Sequence, residues 1–448
     1  MILHPERVEA DIEKAATALR AVLHARKLDG WSNQEDDPLA SFRAVTTKER
    51  FEQMRGLPQE LPNKDALLRW QACLTIERVT WDDREFAETA RHRHEHRIAE
   101  LGDAKHAWSI QSLLIELLRS RDATKRSKIA HWITRTSGDA SLRAIQWAMR
   151  RRAAAHHLGI GALDWLEVPV SGVSLAGVAI HVLDGTDEIA NASIGESKSW
   201  ENAIWLGAAT EAHQGWPTAL GPRWFRSVFG GWKTLDSLRI DPGPLCSAVC
   251  GSSFVRALAR FGAALYRASA GRACNSFSVV HRPFDLASAS YGALFASLLA
   301  SVPFHKKHLG LGTAAAFEQA QLLGRAMLIS VRVFGAQAAV SAAESMEAVL
   351  EAHASCASRA LAHTVPNETA AVLPRYDPRA AVRLCGALRA AALQHELVRC
   401  FDDDWFDNPH AHEFLASIDV RERMVLDEKG VQLGVQLAKQ SLSDLLLR

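Results

Sequence analysis

The chain has 448 residues, 48% of them hydrophobic, enough for one large core or two lobes. Its 52 Lys+Arg balance 51 Asp+Glu, which excludes a global field favouring nucleic acid or an anionic membrane surface. Ala, Leu and Arg are abundant and no low-complexity tract or fixed-period repeat is visible, so a mainly α-helical protein is expected.

Residues 6–27 place Val8, Ile12, Ala15, Ala16, Leu19, Val22 and Leu23 on one helical face. The start runs into this charged helix with no apolar h-region, so no secretory leader is expected. The seven cysteines are scattered and odd in number. That fits free thiols in a reducing compartment, and the expected location is cytoplasmic.

Helical patterns resume near residue 47 and over 64–77. A charged helix is expected over 82–101, carrying His92, His94 and His96. Only His92 and His96 would share a face, and the flanking arginines repel a cation, so a solvated face is expected there rather than a metal site. Further helices are expected over 108–119, 123–136 and 142–157. The valine-rich stretch 168–182, with Gly172 and Gly177, reads as short strands or an irregular connection.

Ser197 or Ser199 can cap a helix with Glu201 in its first turn. A helix is expected over 254–272, and residues 275–280 read as an edge strand. Two helices follow, over 285–300 and 314–330. The uncharged run from Leu286 to Phe304 is nearly long enough to span a bilayer, but its Ala, Ser, Gly292 and Pro303 fit a buried core helix better.

Other constellations are weak. Cys246 and Cys250 lack a second ligand pair for zinc. His305 and His308 flank two lysines, which fits a surface turn. His410, His412 and Glu413 stand beside Asp402–Asp404, where Pro409 marks a helix start and a polar junction. Ser288 and Ser290 would need a base to act as nucleophiles, and His281 is the only one near in sequence. No Gly-rich phosphate loop follows a strand.

Four passages, in order, carry a resemblance. They are Leu158-Gly159-Ile160-Gly161-Ala162-Leu163-Asp164-Trp165-Leu166, Ser199-Trp200-Glu201-Asn202-Ala203, the Gly231–Cys246 loop, and Phe401-Asp402-Asp403-Asp404-Trp405-Phe406-Asp407-Asn408-Pro409. Over residues 140–420 the chain resembles the oligoendopeptidase F and thimet oligopeptidase family of zinc peptidases. The resemblance implies a zincin-like, two-lobed helical fold with a deep central cleft and a small β-sheet beside the former active-site helix. The lobes would be residues 1–198 and 199–448, the second holding the helices at 285–300 and 314–330.

The family's chemistry needs two histidines four apart on a helix, a Glu between them as base, and a third ligand on the next helix. In the matching positions stand Ser288, Ala289 and Gly292, none of which can bind zinc or abstract a proton. Glu318 matches the third ligand, and Arg325 stands where a second Glu is common. Tyr291, with Ala287, Leu294 and Leu298, keeps the apolar stripe of the helix. The family's tyrosine-rich oxyanion segment corresponds to residues 375–386, where Tyr376 stands among Arg375, Arg379 and Arg383. The resemblance thus implies a degenerate relative without metal or cofactor. Its cleft would bind a peptide, a peptide-like ligand or a small anion, or the protein would support a partner protein. The arginines, with His281 and Arg282, suit a carboxylate. The alternatives are a metal-free enzyme rebuilt in the old cavity and, more distantly, an active zinc oligopeptidase using His281, His305 or His308. Nucleic acid and membrane are not expected partners.

Overall fold

The apolar face of residues 6–27 belongs to one 25-residue helix, α1 (Pro5–Asp29), which buries Val8, Ile12, Ala15, Ala16 and Leu19. The structure, a computed structural model, describes residues 4–29, 37–58, 61, 63–101, 106–161, 170–171, 174–210, 215–230, 249–273, 276–283, 285–417 and 426–447. The resemblance passage at 162–166 and the loop at 231–246 lie outside the described residues.

The first half continues with α2 (Lys48–Arg55), α3 (Lys64–Val79), α4 (Trp81–His92), α5 (Ile110–Arg119), α6 (Ala123–Thr136) and α7 (Gly138–His157). Side chains cap several of their free N–H groups: Thr47 accepts from Arg50, Asp122 from Thr124, and Ser109 and Ser112 cap each other. α1 packs on α3 over a core of Leu39, Met54, Leu67, Trp70, Leu74 and Trp81.

Three sequence expectations are corrected. First, α4 ends at His92, not at 101. The His92 ring bonds the Glu88 carbonyl (2.8 Å), satisfying an end carbonyl, and Arg93 turns extended. His96 then sits in β1 (His96–Arg97), antiparallel to β2 (Ala107–Trp108), so His92 and His96 share no helical face.

Second, most of the valine-rich stretch is helical. After a short β3 (Val170–Ser171), Ser174 caps α8 (Leu175–Ser193), which buries Val178, Val182, Leu183, Thr186 and Ile189. Apolar residues three and four apart outweigh the strand preference of valine.

The second half holds α9 (Trp200–Ala208), α10 (Pro222–Phe229), α11 (Gly251–Ala273), α12 (Phe277–Val280), α13 (Leu286–Ser297) and α14 (Val302–His308). Then come α15 (Thr313–Ala342), α16 (Met346–Leu361), α17 (Ala380–Phe401), α18 (Pro409–Ser417) and α19 (Glu428–Leu446). The third correction is α12, which stands where an edge strand was expected. Glu9 of α1 takes Ser276 Oγ (2.5 Å), the Ser278 amide (2.9 Å) and Ser278 Oγ (3.0 Å), an N-terminal cap lent by another helix. Among the described residues the remaining strand is β4 (Leu426–Asp427), parallel to β3.

α13 lies between α11 and α17, while α15 runs against α8, α16 and α17. α8, on the N-terminal side of a boundary at residue 198, packs along α15 and α19. The uncharged run 286–304 is not one rod: α13 and the 3-10 turn that ends it meet α14 at 77°. Among the described residues α15 is the one straight helix long and apolar enough to cross a membrane, and 67% of its most apolar window is buried inside the protein. Cys73, Cys356 and Cys385 are buried free thiols and Cys400 an exposed one, as expected. Cys250 is instead disulfide-bonded, and its partner lies outside the described residues.

Candidate functional site

The helix that the sequence singles out, α13, is closed on both sides. Ser288 is buried, and its Oγ accepts from Arg267 of α11 (3.2 Å). Gly292 abuts the same helix: a Cβ there would stand 2.9 Å from the Ala259 carbonyl oxygen. Gly262 of α11 answers one turn on, where a Cβ would stand 2.2 Å from the Tyr291 oxygen. On the opposite side Gly386 of α17 meets Ala289, with 2.8 Å to its Cβ. The small residues at 288, 289 and 292 are thus the contact surface of a three-helix stack in which backbones touch. Tyr291 is also structural: it is buried and donates to the Leu415 carbonyl (2.5 Å), and burial raises its pKa, with Tyr266 adding to the rise. Ser290 Oγ donates to the Leu286 carbonyl (2.8 Å), and among the described residues no hydrogen bond joins His281 to either serine.

Glu318 does not join this group. It is exposed on α15, and among the described residues no hydrogen bond or ion pair ties it to any arginine or histidine. α15 meets the α13 region through the 3-10 turn at Leu298–Ala300 and through α14. Arg325 is partly buried, with an Nε that has no partner.

The arginines are where the structure brings distant segments together. Segment 369–379 is held from several sides. The Tyr376 amide bonds the Ala371 carbonyl (2.7 Å), His353 bonds the Leu373 carbonyl (2.9 Å), and Gln337 donates to the Arg375 carbonyl (2.7 Å). Ala371 is in the left-handed region (φ 59), a conformation that costs a non-glycine residue on the order of 1 kcal/mol and that this bonding enforces.

Arg375 pairs with the buried Glu88, and Arg383 with Asp377 at 2.8 Å. The Arg375 side chain is 44% exposed, yet desolvation draws its pKa down to about 10. Protein crowds it on most sides while water still reaches it, which is the property of a concave wall. Arg379, at the N-terminus of α17, and Arg20 of α1 behave alike: both are exposed, and burial lowers both. Arg20 is further lowered by the nearby charges of Arg267 and Arg379.

None of the three makes an ion pair with a carboxylate among the described residues, although Asp377 is near enough to Arg379 to raise its pKa. Arg20 reaches the His281 carbonyl (3.3 Å) and lies 5.2 Å from the Trp70 ring and 5.6 Å from Phe277. Arg267 holds Ser288. The Arg379 side chain has no bonded partner, and no acidic residue stands in the first turn of α17. His281 is partly buried at the rim; burial lowers its pKa, and Arg20 and Arg267 lower it further. Arg282 lies near Asp285, whose pKa burial raises against the pull of its α13 backbone and nearby arginines.

Behind this wall is a buried ion triad. Glu77 takes Arg151 at 2.6 Å and Arg84 at 2.8 Å. Burial alone would raise its pKa, but the two guanidiniums outweigh it and hold Glu77 at about 2. Tyr376 is buried beside this triad, edge-on to Trp147 at 5.1 Å, and burial raises it. Sequence reasoning missed Arg20, Arg267 and the triad. No spacing signal marks them, since Arg20 and the His281 carbonyl it binds are 261 positions apart.

A separate open depression of about 440 Å3 is lined by Pro303, Val398 and Asp402–Asp404. Its carboxylates suit a cation, and Lys307 already sits on Asp404 (3.3 Å) and Asp407 (2.6 Å). His308 bonds Asp407 (3.0 Å), His305 the Leu299 carbonyl (2.8 Å) and His412 the Phe406 carbonyl (2.7 Å). Among the described residues no three His, Cys, Asp or Glu side chains are placed to hold a metal ion. Comparison of the chain with protein-family models, with curated proteins and with solved structures finds no match.

Proposed function

We propose that this protein is a non-hydrolytic binding protein whose arginine-walled recess takes an anionic ligand, a peptide or peptide-like molecule presenting carboxylates. One observation carries the reading: Arg20, Arg267 and Arg379, from three separate elements, lie close enough that the last two lower the pKa of the first, and none makes an ion pair with a carboxylate among the described residues. Like charges held together cost free energy unless a counter-charge arrives, and guanidiniums match carboxylates in geometry. The N-terminus of α17 adds its free N–H groups and positive dipole end beside Arg379. In this reading the chain keeps the helical scaffold of a zinc oligopeptidase-like ancestor and uses its cleft for binding. Hydrolysis through a metal is no part of it, since Arg267 holds Ser288 and α11 covers Gly292.

Calorimetric titration tests this with tetraglutamate, citrate and inorganic phosphate, and with tetralysine as control. Tetraglutamate or citrate should bind, weaken with salt, and lose roughly tenfold or more in affinity on Arg379→Gln, as for a charged hydrogen bond worth about 1.5–3 kcal/mol. No binding of any of the three anions at millimolar concentration, or unchanged affinity in both Arg379→Gln and Arg267→Gln, overturns the reading.

A further inference from the structure

A second, smaller site lies between α4, α7 and segment 371–376. Arg91 stands in the last turn of α4, three residues after Glu88. That spacing would normally pair them, but Arg375 has taken Glu88. The Nε and Nη1 atoms of Arg91 are buried and have no hydrogen-bond partner. The indole Nε1 of Trp147, on α7, is likewise buried and unbonded. All three donors belong to side chains lining one cavity of about 20 Å3, which Glu88, Arg375 and Tyr376 also line.

Arg91 as a whole is partly buried, but two of its donors are desolvated and unbonded, and an unmet buried donor costs free energy. Burial lowers the Arg91 pKa only to about 10, so the group stays cationic at neutral pH. His92 brings no compensating charge: burial, then Arg91, lower its pKa to about 4, leaving it neutral. The unspent donors outnumber the one unspent acceptor, Glu88 Oε2. The cavity has room for a single water-sized occupant, which excludes phosphate, sulfate or a ligand's carboxylate. A water would satisfy N–H groups without neutralising the guanidinium; a monatomic anion does both.

We propose that Arg91 and Trp147 form an internal site for one halide ion, chloride in the cell, which ties α4 and α7 to the segment carrying Arg375. The site does not include Arg20, Arg267 or Arg379, although Arg375, which lines it, also reaches water, and the two sites can fail separately.

The experiment is thermal melting of the whole protein in sodium chloride, bromide and gluconate at equal ionic strength, with crystals grown in bromide. Chloride and bromide should raise Tm saturably and gluconate should not, and an anomalous bromide peak should appear between Arg91 and Trp147. Arg91→Met should abolish the saturable response. Trp147→Phe, which removes one donor and keeps the packing, should weaken halide affinity several-fold and serves if the first variant does not fold. A melting curve indifferent to halide with no bromide peak means that water fills the cavity and overturns the proposal, as does an undiminished halide response in either variant. Titrating tetraglutamate in chloride-free buffer keeps this result separate from the recess.

Discussion

The α13 stack and the arginine wall at 375–383 both meet α17 and are built oppositely. α13 touches its neighbours through Ser288, Ala289, Gly292, Gly262 and Gly386, with backbones in contact and hardly a charge between them. The wall places guanidiniums against water, Glu88 and Asp377. A loss of ligand residues and a gain of close helix packing leave the same letters in a sequence. Only the neighbouring glycines, distant in sequence, separate the two meanings.

The largest effect is expected behind the wall. Glu77→Gln leaves Arg84 and Arg151 facing a neutral amide in the interior and should cost about 3–5 kcal/mol in denaturant melts, as when one partner of a buried pair is removed. The pH dependence has a definite sign. The Glu77 carboxyl titrates near its ordinary value when unfolded and at about 2 when folded. The folded protein therefore gains stability from this group above pH ~4.5 and loses it as pH falls toward 2. The variant should lack that part of the acid transition. Equal acid sensitivity in both proteins would mean that the triad is not the charged unit behind the wall.

The next effect is on the α13 side. Rebuilding the zinc motif with Ser288→His, Ala289→Glu and Gly292→His should give an unstable protein rather than a zinc enzyme. A side chain at 292 must displace the Ala259 backbone carbonyl, and Gly292→Leu alone should cost on the order of 1–3 kcal/mol or more. A stable triple variant that binds equimolar zinc by elemental analysis would show that this face is an open site and that its small residues are not packing.

Much of the helical fold is legible: the helical runs expected at 6–27, 64–77, 123–136, 254–272 and 314–330 fall within α1, α3, α6, α11 and α15. The misreadings share a physical cause. Valine content favours strands or irregular chain at α8, and the edge strand expected beside the cleft falls on α12, but tertiary contacts decide: the Glu9 carboxylate for α12 and burial of Val178 and Val182 for α8. Of the site, Arg375, Arg379, Arg383 and His281 were legible as charge gathered near one motif. Arg20, Arg267 and Arg91 were not, since each is an ordinary helix arginine until the fold withholds its carboxylate.

The smallest effect is expected at Glu318. A third-ligand position gives reason to expect a buried carboxylate held by an arginine or histidine. The residue is instead exposed on α15, without a bonded partner among the described residues. An exposed, unpaired carboxylate is solvated equally well in the folded and unfolded chain, so removing its charge changes little. Glu318→Gln should shift stability by no more than about 0.5 kcal/mol and leave tetraglutamate affinity unchanged. A loss above 1 kcal/mol, or a change in affinity, would show that α15 does bring this carboxylate to a functional site. In that case the division between a packed α13 and a charged wall would have to be redrawn around it.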